Sequence, residues 1–187
     1  RIIGSNIGLE RFYDNTQSED IINELVKISS PEKEKKIFFV WPEGIIPNTY
    51  LDELSLYNDI IKKHFSENHL IGLGITNRVI LGEDYKYYNS FSMFDSNLNL
   101  IDNYNKMKLV PFGEFLPFEN ILNKIGLKPL TNNIESFSRG NTRKILEIKN
   151  DYQKFNFLPL ICYEIIYSGN LTKNFDFDFI LNISEDG

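Results

Sequence analysis

Residues 37–41, Ile37-Phe38-Phe39-Val40-Trp41 (IFFVW), form an unbroken apolar run that stops at Pro42, Glu43 and Gly44. Five apolar residues without polar alternation are strand length and predict a strand covered on both faces. Pro42 has no N–H for a ladder, so the strand ends there. On the N-terminal side, residues 18–28 carry Ile21, Ile22, Leu25 and Ile28 at helical spacing, and residues 1–8 read as a short strand. On the C-terminal side, residues 51–66 repeat apolar groups at Leu54, Tyr57, Ile61 and Phe65, a helical period. LIGLGIT (70–76) is a second buried strand. Residues 86–94 and 98–104 are strands joined through Asp95, Ser96 and Asn97, a hairpin signal. A short helix is expected over 118–125, strands over 144–149, 154–162 and 177–183, and a short helix over 166–173. Strands alternating with helices predict α/β layering.

The chain has 187 residues, which suits one domain or a large part of one. Hydrophobic residues at 42% and charged residues at 25% are ordinary globular usage and exclude a wholly disordered chain. A net charge of -6 argues against a nucleic-acid partner, which needs a basic face to neutralise phosphates. One cysteine, Cys162, excludes an internal disulfide framework and any CxxC zinc site. His64 and His69 are spaced for neither a strand face nor a helix face, so no metal is expected, and no cofactor. No apolar run approaches the roughly 18 residues of a spanning helix. The opening RIIGSNIG does not read as a signal peptide, and LNISEDG at the other end reads as the middle of a domain. The chain is therefore expected to be a soluble piece of something longer.

Three places put a reactive group where a buried strand runs out. Glu43 follows IFFVW, and a carboxylate among apolar groups is a candidate for a raised pKa and general-base work. Taken alone, a glutamate capping the next turn explains it as well. YNKMKLVPFGEFLPFE (104–119) carries Lys106, Lys108 and Glu114. A lysine beside a nucleophile stabilises an oxyanion, and the proline and glycine between them let Glu114 fold back to hold it. Surface lysines and a plain turn fit that stretch equally. Cys162, at the end of FNFLPLI, is either an inert core thiol or a nucleophile on a rigid post. Strand alternation would put Glu164 on the same side as Cys162. With no histidine nearby, a glutamate would have to serve as the base.

Glu43, Lys106 and Cys162, in that order and each at a strand end, resemble the Glu–Lys–Cys triad of the nitrilase (carbon–nitrogen hydrolase) superfamily. The words WPE, YxKxxLVPFGEFLPF, ICYE and LNIS, between residues 41 and 186, are similar to the extracytoplasmic domain of the apolipoprotein N-acyltransferases, a family that adds the third acyl chain to bacterial lipoproteins. The resemblance implies a four-layer α-β-β-α sandwich, here truncated at the C-terminus, with residues 1–187 as one partial domain. It implies Glu43 as general base, Cys162 as nucleophile and Lys106 as the oxyanion-stabilising cation. Lys106 is chosen over Lys108 because it stands three residues before the leucine of LVPFGE. Glu114 would support the lysine, Tyr163 and Glu164 would match the pair after the cysteine, and Asn89 an asparagine kept beside the site.

The implied reaction moves an acyl chain from a phospholipid, through a cysteine thioester, to the α-amino group of the lipid-modified cysteine of an apolipoprotein. The implied place is the periplasmic side of the bacterial inner membrane, reached through flanking helices absent from this sequence. The Phe- and Leu-rich segment 115–130 either packs under its own loop or leans on the bilayer. The sequence departs from the family pattern near its end: Glu185 stands where the family reads Asn, and the later strands are missing. Two other readings stay open. One is a soluble amidase using the same three residues on a small C–N substrate. The other is a non-catalytic module that binds lipid or protein.

Overall fold

The computed structural model describes residues 1–4, 17–82, 84–117, 136–149, 154–170 and 176–185. In chain order these form α1 (Ser18–Ser29), β1 (Ile37–Trp41), a 3-10 helix (Leu51–Tyr57), α2 (Asn58–His64), β2 (His69–Leu81), β3 (Asp84–Asp95), β4 (Leu100–Asn105), β5 (Leu146–Lys149), β6 (Lys154–Ile161), a second 3-10 stretch (Cys162–Asn170) and β7 (Phe179–Ile183). One sheet has the order β1-β2-β3-β4 and the other β5-β6-β7. β1 runs parallel to β2 and β6 parallel to β7, while β2-β3, β3-β4 and β5-β6 are antiparallel.

The IFFVW run is covered on both faces, and its alternation assigns each face. Phe39 and Trp41 pack with Ile21, Ile22, Leu25 and Val26 of α1, Ile61 of α2, and Ile71, Leu73 and Ile75 of β2. Trp41 also donates its indole N–H to Ser29 Oγ at 2.9 Å, so the one polar atom of the buried ring is satisfied. Val40 faces the other way, into a core shared between the sheets. There Phe91, Met93 and Tyr104 meet Leu146, Phe157, Ile161, Leu181 and Ile183. Phe157 is fully buried and meets Phe91 edge-on, with ring centroids 6.0 Å apart. Leu158 and Leu160 alternate with Phe157 and Ile161 on β6 and are buried on the far face of the second sheet. Helices, first sheet and second sheet are thus three layers formed by described residues, the first three of the expected α-β-β-α order.

Several expectations change in detail. Ile28 is half exposed, and Val26 and Ser29 close the buried face of α1 instead. Residues 51–57 wind as a 3-10 helix before the α-turns of 58–64, although Leu54, Ile61 and Phe65 are all buried as their spacing requires. The second and third strands extend to 69–81 and 84–95, longer than their apolar runs. The turn after β3 is held by the Asp95 carboxylate, which accepts from the N–H groups of Asn97 and Asn99 at 2.8 and 2.9 Å. Of the expected first strand, residues 1–4 are described. Ile2 makes a parallel bridge to Val40, and residues 5–8 lie outside the described residues. The helix expected over 118–125 lies outside them too, as do 171–173 of the expected helix 166–173 and 118–130 of the proposed arm.

The most consequential difference concerns the strand before Cys162. It ends at Ile161, and Cys162 opens a 3-10 stretch with φ 54°. Strand alternation therefore does not relate Cys162 to Glu164. Glu164 turns fully into the interior, while Tyr163 between them is 58% exposed.

Candidate active site

The three residues expected to do the chemistry each sit just past a strand end, and their expected supports lie on a strand, a turn and the stretch after β6. Glu43 is two residues past β1, Asn89 lies on β3, and Lys106 follows β4 directly. Glu114 comes from the turn 112–114, and Cys162 follows β6. The tight approach of Glu43 to the sheet depends on a glycine. A Cβ on Gly74 of β2 would fall 2.4 Å from Glu43 Cα, and the Gly74 N–H donates to Pro42 O at 3.2 Å. Only a hydrogen at that position leaves room for the turn that carries the carboxylate.

Four of the side chains form one hydrogen-bonded cluster. Lys106 Nζ donates to Glu114 Oε1 at 3.0 Å and lies 3.4 Å from Glu43 Oε1. The Asn89 amide donates to both carboxylates, at 2.6 Å to Glu43 Oε1 and 2.7 Å to Glu114 Oε1. Glu114 Oε2 accepts the Val110 N–H at 2.9 Å, which ties the LVPFGE turn to its own glutamate. The Lys106 side chain is 1% exposed. Two carboxylates and one ammonium leave the cluster with one negative charge to spare, and that charge is poorly solvated. Among the described residues Glu43 Oε2 is buried with no hydrogen-bond partner.

The electrostatics follow from this arrangement. Burial pushes the Glu43 carboxyl above the ordinary glutamate range, against the pull of Lys106 and Asn89. Burial alone would lower the Lys106 ammonium, but the carboxylates of Glu43 and Glu114 outweigh it and raise its pKa, so the lysine stays charged. Cys162 lies within electrostatic reach of the cluster. Burial raises its thiol and the Glu43 carboxylate raises it further, while Lys106 and the backbone N–H of Tyr163 pull it back. Burial thus holds both the Glu43 carboxyl and the Cys162 thiol above their ordinary ranges. The left-handed backbone at Cys162 is uncommon for a residue with a side chain and lifts the sulfur out of the strand line.

Glu164 belongs to a different constellation. Its carboxylate is fully buried and accepts from Tyr104 Oη at 2.8 Å, from Ile161 N at 3.1 Å, and from Met107 N and Lys108 N at 2.9 and 3.1 Å. Arg143 Nη2 donates to it at 3.3 Å. Such a saturated acceptor is no free base, and the earlier placement of Glu164 beside the thiol on one strand face is corrected accordingly. The chain Glu164–Tyr104–Arg143 is the part that sequence reasoning missed. Tyr104 was visible only as the first letter of YxK, and nothing in the sequence marks Arg143. Lys108, the alternative lysine, points elsewhere, with Nζ 5.8 Å from the centre of the Tyr167 ring.

Beside the cluster opens a cleft of about 1080 Å³, walled by Leu109, Phe115, Leu116 and Phe137 and edged by Lys108 and Arg139. Glu43, Lys106 and Cys162 do not line it; Met107, next to Lys106 in the chain, does. No described helix is long and apolar enough to cross a membrane.

No family model matches the chain. Among curated proteins it is 33% identical to an apolipoprotein N-acyltransferase of Wigglesworthia glossinidia brevipalpis, over 99% of this chain and 37% of that protein. It is 32% identical to one of Brucella suis, over 91% of this chain and 32% of the relative. The chain thus spans about a third of the length of the curated relatives it matches. Among solved structures, an amidase of the nitrilase superfamily from Nesterenkonia superposes with a TM-score of 0.55 at 9% identity, over 98% of this chain and 63% of the amidase. A CN-hydrolase superfamily protein from Xanthomonas campestris gives 0.54 at 14% identity, over 90% and 58%. At these identities the likeness is one of fold.

Proposed function

This chain is a homologue of the apolipoprotein N-acyltransferases with the fold of the nitrilase superfamily, and from that premise we propose that it is the acyl-transferring domain of such an enzyme, with Glu43, Lys106 and Cys162 as its catalytic residues. The observation that carries the proposal is the hydrogen-bonded cluster of Glu43, Asn89 and Glu114 around the buried Lys106 ammonium, within electrostatic reach of the thiol at the end of β6.

Glu43 Oε2, the oxygen without a partner, takes the thiol proton as the sulfur attacks an ester carbonyl of a phospholipid. The oxyanion forms beside Lys106 Nζ and the Tyr163 N–H, which are fixed before the reaction begins. The C–O bond breaks, Glu43 returns the proton to the departing lysophospholipid oxygen, and a thioester remains. The α-amino group of the lipid-modified cysteine of an apolipoprotein then attacks the thioester and loses a proton to Glu43. The C–S bond breaks, and the thiolate recovers that proton. Glu114 and Asn89 keep the ammonium and the Glu43 carboxylate in place throughout.

The adjoining cleft, lined by apolar side chains such as Leu109 and Phe115 together with polar and charged ones, Asp84, Lys86 and Arg139 among them, is where the acyl donor lies in this reading. Phe112, 56% exposed next to Gly113, would face the bilayer. The domain would then sit on the periplasmic side of the bacterial inner membrane, as the family resemblance implies. Hydrolysis of a small amide has only the fold likeness behind it. The homology and the mixed lining of the cleft favour a lipid donor.

The test is acyl-enzyme formation. Protein mixed with vesicles whose phospholipid carries a labelled acyl chain should gain one acyl mass, released by neutral hydroxylamine as a thioester is. The Cys162→Ala protein should gain none. Label held by that variant refutes the scheme.

A further inference from the structure

We propose that Arg143 and Tyr104 are positioning residues for the thiol chemistry, acting through the Glu164 carboxylate that binds the nucleophile's strand to the lysine's loop. This rests on the reading of Cys162 and Lys106 given above. The geometry is specific. Glu164 accepts the N–H of Ile161, the residue just before Cys162, at 3.1 Å. It also accepts the N–H groups of Met107 and Lys108, the two residues just after Lys106, at 2.9 and 3.1 Å. One buried carboxylate therefore fixes the backbone on both sides of the proposed reaction centre, from the second sheet to the first.

A buried carboxylate can do this only if its charge is balanced, because an unpaired buried ion is strongly disfavoured. Two groups outside the site supply the balance. Tyr104 Oη donates to both oxygens, at 2.8 and 3.0 Å, from a ring that is 1% exposed. Arg143 Nη2 brings the only full positive charge within ion-pair distance of Glu164 among the described residues, at 3.3 Å. Its guanidinium carbon lies 5.9 Å from the centre of the Tyr104 ring. The arginine is itself almost enclosed, and its Nη1 is buried without a partner. A side chain held with one donor unsatisfied is placed there for the contact it does make. The segment carrying it is anchored as well. Lys144 pairs with Asp102 of β4, and Gly140 comes so close to the first sheet that a Cβ would fall 2.2 Å from Asn105 O.

Without the arginine, the carboxylate loses its counter-charge, and its four N–H and O–H donors are held less firmly. Lys106 and Cys162 then drift relative to one another, and displacements of this kind slow a reaction strongly although no reacting group has changed.

Because the chain has one cysteine, iodoacetamide labelling followed by intact mass reports Cys162 alone. The rate is measured against pH for the parent protein, Arg143→Met, Arg143→Lys and Tyr104→Phe, each scaled to its folded fraction. We expect Arg143→Met to lower the rate by about tenfold or more and to move the pH profile. Arg143→Lys should restore most of the loss, and Tyr104→Phe should fall between. If Arg143→Met does not fold, Tyr104→Phe and Arg143→Lys carry the comparison. A parent profile that departs from that of a free cysteine, with a variant profile identical to it, overturns the positioning role and leaves the function standing. A parent thiol that behaves as a free cysteine overturns both.

Discussion

At the scale of single residues, Glu43 differs from Glu114, the other carboxylate of the cluster, in having one engaged oxygen and one idle one. Its raised pKa has two measurable consequences. The first concerns rate. As the proposed base, Glu43 works only when ionised, so the acid limb of the proposed acyl transfer should lie above the range of an ordinary glutamate, and Glu43→Gln should cost roughly 10²–10⁴-fold at neutral pH. The second concerns stability. A carboxyl whose folded pKa exceeds its unfolded value favours folding most below that unfolded value, and the advantage is lost as pH rises through the folded one. Glu43→Gln keeps the neutral form at every pH. The variant should therefore melt above the parent at pH 7, with the gap closing toward pH 4. A gap that is widest in acid would show that the carboxylate, not the acid, is the form the fold prefers.

Secondary-structure elements place these residues by ending where they do. β1 stops at Pro42, β4 at Lys106 and β6 at the left-handed Cys162, and all three endings lie next to the site. Gly74 shows how little slack the arrangement has. Gly74→Ala should destabilise by about 1–3 kcal/mol or more through overpacking against Glu43 Cα and Ile183 Cδ1, read as a lower melting temperature with reduced labelling of Cys162. Much of this scale was legible beforehand. Apolar runs locate buried strands whatever their neighbours, so β1, β2 and β6 were visible in IFFVW, LIGLGIT and FNFLPLI. The 3-10 winding of 51–57 was hidden, because Leu54 is the one buried residue of that span and a single position sets no period. Glu164 was misplaced because alternation assumes that a strand continues, and this one turns at Cys162. Its partners Tyr104 and Arg143 lie 60 and 21 residues away, and no local pattern reports a contact at that distance.

Across the whole molecule, the core between the sheets decides whether the site exists. Phe157 touches Phe38, Phe91 and Phe179, with ring centroids 6.0, 6.0 and 5.5 Å away. Phe157→Ala should cost about 3–5 kcal/mol, measured by denaturant unfolding, because it opens a cavity at the seam between the layers. Glu43, Asn89 and Lys106 lie on or just past strands of the first sheet, Glu114 on the turn beyond β4, and Cys162 at the end of β6 in the second. In the proposed reaction the two halves of the chemistry thus meet across a gap that neither sheet closes by itself. Function then becomes a calliper on that gap: under mild denaturant the thiol should revert to ordinary reactivity while the strands still give their full circular dichroism, because the layers need only slide apart, not melt, for the sulfur to be left alone.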